Sequence, residues 1–71
     1  MAKFTIIIEK ANDNFSAYCP DLPGCVATGS TEQETIERMK EAIKFHLEGL
    51  KENNMPVPEV TSSVCQVEVN V

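Results

Sequence analysis

Residues 29–50 read GSTEQETIERMKEAIKFHLEGL, and the spacing of apolar side chains in this stretch decides the fold. At about 100° per residue, Ile36, Met39, Ile43, Leu47 and Leu50 fall in one narrow sector, so the segment is an amphipathic helix with one face to bury. Ser30-Thr31-Glu32-Gln33 and Thr31-Glu32-Gln33-Glu34 both match a capping box, in which a hydroxyl and a Glu or Gln side chain satisfy the first free N–H groups. A helix starts here whichever residue caps it. Glu32 and Glu34 suit the positive end of its dipole, and Asn53-Asn54 suit a left-handed cap just after Glu52. Such a stripe needs a flat apolar partner, and the flanking sequence predicts a sheet.

Upstream, residues 4–10 read as a strand. They are β-branched and aromatic, and Ile6, Ile7 and Ile8 occupy both faces, as in a central strand. Asn12-Asp13-Asn14 supplies turn chemistry, and residues 15–19 return as a second strand with Phe15, Ala17 and Cys19 on one face. Pro23-Gly24 fits the central positions of a type II turn, because proline presets φ and glycine accepts a positive one. Residues 25–29 form the third strand. Downstream, Pro56 and Pro58 stiffen a connector. Residues 64–71 then alternate, with Cys65, Val67, Val69 and Val71 expected inward and Gln66, Glu68 and Asn70 outward.

The expected fold is α+β, with the order β-β-β-α-β. A three-stranded antiparallel meander is joined by a parallel fourth strand beside the first, giving sheet order 3-2-1-4 with one helix on one face. The other face is left uncovered, with Tyr18 and Ile7 on it. A half-bare sheet in so small a chain predicts a homodimer or tetramer.

With 71 residues, the chain makes one domain, residues 1–71, burying about 60% of its unfolded surface. Eleven acidic against six basic side chains give a net charge of −5, and the basic residues are scattered. That argues against a phosphate-binding surface, which depends on clustered Lys and Arg, and suits a basic protein partner. Three cysteines, no leader and no long apolar run point to a reduced cytoplasmic setting.

Phe45 is the most informative side chain. It lies about 180° from Ile36, among Arg38, Glu41, Glu48 and Glu52, on the face that should meet water. An aromatic there reads as an anchor for a partner, with Glu41 and Glu48 supplying charge. Asp21-Leu22-Pro23-Gly24 reads first as a structural turn and second as a contact loop, which adds Asp21 and Leu22 as partner-binding candidates beside Tyr18 on the uncovered sheet face. His46 reads as a half-buried helix residue. Cys19, Cys25, His46 and Cys65 match a zinc set in number only, because all three cysteines sit where small core residues belong. Glu9 and Glu68 are too few to fix two cations. No catalytic residue, metal or cofactor is expected.

The segment from Phe15 to Cys25, FSAYCPDLPGC, resembles the N-terminal domain of the HicB family of antitoxins, where an aromatic strand runs into a P-D-[LF]-P-G-C turn. Gly29-Ser30-Thr31, the EAIKFHLEGL run from Glu41 to Leu50 and the Pro56-Val57-Pro58 step extend the likeness over residues 3–71. The resemblance implies a ribonuclease-H-like partial fold without nuclease activity. It also implies a role in masking a small basic HicA-like ribonuclease toxin. Full-length members carry a C-terminal DNA-binding segment that this sequence lacks, so no direct DNA binding is expected, and no membrane partner. The alternatives are a stand-alone oligomeric scaffold and a degenerate ribonuclease-H-like nuclease.

Overall fold

The computed structural model describes residues 2–71. Three antiparallel strands, β1 (Ile7–Lys10), β2 (Phe15–Tyr18) and β3 (Val26–Gly29), form a sheet in the order β1-β2-β3, and one helix, α1 (Glu32–Glu52), follows. The register aligns Ile8, Ala17 and Ala27 across the sheet on one face, and Ile7, Tyr18 and Val26 on the other. Because side chains alternate along a strand, the first row meets α1 and the second is left bare.

Local chemistry fixes the connections. The Ala11 N–H donates to the Asn14 carbonyl at 2.8 Å and closes the first turn. Two successive turns then join β2 to β3. The Leu22 N–H reaches the Cys19 carbonyl and the Cys25 N–H reaches the Leu22 carbonyl, each at 3.1 Å, with Gly24 at φ +83°. That is the type II turn expected of Pro23-Gly24. At the start of α1, Thr31 is the cap: its Oγ1 accepts from the Glu34 N–H at 3.0 Å, while Glu34 Oε1 accepts from the Ser30 N–H at 2.8 Å. At the far end, Asn54 adopts φ +54°, and the Met55 and Asn54 N–H groups return to the carbonyls of Leu50 and Lys51. Those paired bonds satisfy the free carbonyls of the last turn in a Schellman arrangement.

The core consists of Ala17, Cys19, Leu22, Cys25 and Met39, all buried, with Phe4, Ile6, Ile8, Ala27, Ala42, Ile43 and Leu47 packed around them. Helix α1 lies over β3 and β2. Thr35 is fully buried at its first turns, its hydroxyl satisfied by the Thr31 carbonyl at 2.8 Å. Cys19 and Cys25 are both buried and serve as small apolar fillers, and burial, aided by the neighbouring Cys19 thiol, pushes the Cys25 thiol above its ordinary value.

Two expectations are corrected. The first strand begins at Ile7 rather than Phe4, because its pairing with β2 ends at Tyr18: the next residue whose N–H would face β1 is Pro20, which has none to donate. The parallel fourth strand, and with it the order 3-2-1-4, is not formed among the described residues. Residues 64–71 are extended without a ladder, Val67 and Val69 are 76% and 68% exposed, and Cys65 is exposed rather than core. Alternation specifies a half-buried strand only where an edge receives it. Here the connector is clasped by Asp21 in the β2–β3 turn, and beyond Ser62 the chain runs out without meeting β1, in a molecule 48 Å by 27 Å by 19 Å.

Candidate partner-binding site

The side chains most available to another protein gather where α1 passes β3. Phe45 is 78% exposed, and it borders an open groove of about 430 Å³ shared with Gly24, Val26, Ala42, Gly49 and Met55. Val26 and Met55 are 64% and 55% exposed, so three large apolar side chains ring one depression. The helical period explains this. Position 45 lies opposite the stripe that Met39 buries, and its neighbours one turn away, Glu41 and Glu48, are exposed on the same side. Tyr18, half-exposed and paired with Val26, lies on the bare face of the sheet and does not line this groove. A large aromatic in water beside carboxylates is suited to a partner that offers an apolar pocket rimmed by cations.

Phe45, Tyr18, Glu41 and Glu48 are thus at the surface, whereas Asp21 and Leu22 are not free. Leu22 is fully buried and belongs to the core, because the two successive turns fold it under the sheet end. Asp21 is engaged by its own chain. Its Oδ1 accepts from the Thr61 hydroxyl at 3.1 Å, the Ser62 hydroxyl at 3.0 Å and the Thr61 N–H at 3.3 Å, and its Oδ2 accepts from the Ser62 N–H at 3.3 Å. Slight desolvation would raise this carboxyl, but the hydrogen bonds from Ser62 and Thr61 outweigh it and hold the group below its ordinary value of 3.8. This clasp carries no local sequence signal, since its partners lie 40 and 41 residues apart.

His46 is half-buried along the same groove. Among the described residues, no three His, Cys, Asp or Glu side chains gather as metal ligands, and no helix is long and apolar enough to cross a membrane.

Residues 4–70 match the family described as HicB-like antitoxin of bacterial toxin–antitoxin systems. The chain belongs to this family. It is an antitoxin family, not a family of enzymes. The chain is 43% identical over 56 residues to a 14.9 kDa protein in the rep–hol intergenic region of Haemophilus phage HP1, covering 79% of this chain and 42% of that one. It therefore spans less than half the length of the phage relative. A UPF0150 protein of Thermoplasma acidophilum is 40% identical over 57 residues, covering 79% of this chain and 83% of its own. In structure, the HicB-like chain is similar to a chain of a HicA3 and HicB3 toxin–antitoxin complex, with TM-score 0.70 and 30% identity over 84% of this chain and 70% of that one.

Proposed function

We propose that this chain acts as an antitoxin that neutralises a small basic HicA-like ribonuclease toxin, docking through the α1–β3 groove and masking the toxin's RNA-binding and catalytic surface. The observation that carries the reading is Phe45, 78% exposed at an apolar groove and flanked one helical turn away by Glu41 and Glu48. Family membership and the structural likeness to a chain of a toxin–antitoxin complex support the same class of role. Phe45 enters a pocket on the toxin, Val26 and Met55 exclude water around it, and the acidic residues meet the cations that would otherwise bind RNA phosphates. The net charge of −5 favours encounter with a basic partner and disfavours direct contact with DNA or an anionic membrane surface. In this reading the domain is a cytoplasmic, ribonuclease-H-like sheet without a nuclease's cluster of acids.

The test is co-expression with a small basic toxin of the HicA type. The chain should restore growth and co-purify with the toxin. Phe45→Asp should abolish both while the helical circular dichroism is unchanged. Glu41→Lys with Glu48→Lys should slow association and flatten its salt dependence. Full neutralisation by Phe45→Asp would overturn the assignment of the surface, and failure of the parent chain to rescue would overturn the role.

A further inference from the structure

The end of the β2–β3 hairpin brings two thiols together. The ladder pairs Ala17 with Ala27 and Tyr18 with Val26, and it continues for one further step, where the Cys19 N–H donates to the Cys25 carbonyl at 3.2 Å. Directly opposed residues of an antiparallel pair that share such a bond have Cα atoms about 5.5 Å apart, with both side chains on the same face. A disulfide spans Cα separations of about 4.4–6.8 Å, so this register suits one. Both side chains are buried in the core with Met39, at 3% and 5% exposure. Burial raises the Cys25 thiol most and Cys19 raises it further, which places each sulfur within the other's field. Among the described residues, no His, Asp or Glu completes a set of three with them, so the pair is arranged to bond to itself rather than to hold a cation. The third cysteine, Cys65, is exposed and lies outside the hairpin.

We infer that Cys19 and Cys25 are a redox pair that closes into a disulfide by exchange with a small oxidised disulfide, such as oxidised glutathione, and so staples the end of the hairpin. One cysteine thiolate attacks a sulfur of the oxidant and releases one glutathione thiolate. The other cysteine thiolate attacks the mixed disulfide at the protein sulfur and releases the second. The two protein thiols give up two electrons and two protons, and one oxidised glutathione becomes two reduced molecules. Burial keeps both thiols inert while the hairpin end is closed. Exchange therefore proceeds as its two turns open, each of them closed by one N–H···O bond of 3.1 Å. The same burial shields the finished disulfide from reductants. The staple encloses residues 20–24, which carry the fully buried Leu22 and the Asp21 that clasps Thr61 and Ser62. Closing that loop covalently removes freedom from the unfolded chain and ties the inward turn to the sheet. Thiol state and stability both read out without a partner, so the pairing stands apart from the antitoxin reading.

The test holds the native full chain in oxidised glutathione until its composition is constant, blocks free thiols by alkylation and digests with trypsin. Residues 11–38 form one tryptic peptide with both Cys19 and Cys25, and residues 52–71 carry Cys65. The first peptide should be lighter than its reduced form by two hydrogens, with no glutathione attached, whereas the exposed Cys65 should carry glutathione. The oxidised chain should melt about 5–15 °C above the reduced one, and excess dithiothreitol should reverse both changes. Cys65→Ser should keep the gain. Cys25→Ala leaves no thiol to expel glutathione, so Cys19 should be trapped as the mixed disulfide with no gain in melting temperature. A peptide 11–38 that stays reduced or carries glutathione on both thiols, or an oxidised parent that melts no higher than the reduced one, would each overturn the inference.

Discussion

Gly29 is the position where the packing of α1 on the sheet can be tested most sharply. It ends β3 on the face that meets the helix, and a Cβ placed there would lie 2.6 Å from Thr35 Oγ1 and 2.9 Å from the Thr35 backbone nitrogen. Neither neighbour can step aside. The hydroxyl donates to the Thr31 carbonyl at 2.8 Å, and the Thr35 N–H bonds to the same carbonyl at 3.0 Å. Gly29→Ala must therefore lift the first turn of α1 from β3, loosening the contact that buries Met39. Overpacking of this kind costs about 1–3 kcal/mol. A domain of this size has about 4–10 kcal/mol in total, and each kcal/mol moves the melting temperature by roughly 4–8 °C. The expected result is a fall of roughly 5–20 °C.

Thermal and urea melts followed by circular dichroism read this directly, and two companion variants separate sterics from propensity. Gly49→Ala meets open space inside α1 and should gain about 1 kcal/mol from helix propensity alone. Thr35→Ala added to Gly29→Ala removes the nearer obstacle but not the backbone nitrogen, so the double variant should recover part of the loss and show coupling between the sites. Gly29→Ala melting at or above the parent temperature would refute the close approach of β3 and α1.

Thr31→Ala should cost about 1 kcal/mol, measured by urea denaturation, because the Glu34 N–H loses its acceptor at the exposed start of α1. The Asp21 clasp should be sensitive to acid. Its folded-state value is depressed, so its contribution is complete above the ordinary 3.8 and is lost as pH falls through the lower folded value. Backbone relaxation at Thr61 and Ser62 should report their release at that point, with the helix still formed. Asp21→Ala should free the same two residues at neutral pH, and unchanged order there would count against the clasp.

How far the sequence could be read depended on the range of each interaction. The caps of α1 were legible because Thr31, Glu34 and Asn54 act within one turn of the chain, and Pro23-Gly24 was legible for the same reason. The antiparallel meander followed from three short runs separated by turn residues. Leu22 was misplaced because a P-D-L-P-G segment looks like an exposed loop. Only the earlier of the two turns, closed by the Leu22 N–H on the Cys19 carbonyl, carries its side chain inward. Thr35 was overlooked because a polar residue is not expected in a core, yet its hydroxyl is satisfied locally and the absent Cβ of Gly29 makes room for it. The alternation of residues 64–71 predicts a strand that is not formed among the described residues, because a period of two says nothing about which edge receives it. The clasp between Asp21 and Ser62 joins positions 41 residues apart, where no pattern of spacing can point.

The Phe45 groove and the groove lined by Phe4, Ile6, Ile36 and Ile43 are separate places on the molecule, and that separation has a testable consequence. Residues that share no partner and lie well apart contribute nearly additively to free energy. Val67 and Val69 line neither groove, so Val67→Lys with Val69→Asp should leave the affinity for toxin within a few tenths of a kcal/mol, whereas Phe45→Asp should abolish capture. Calorimetric titration of both variants with the purified toxin decides the matter. If the valine variant destroys toxin binding while Phe45→Asp retains it, the contact surface lies on the C-terminal segment, and Phe45 cannot be its anchor.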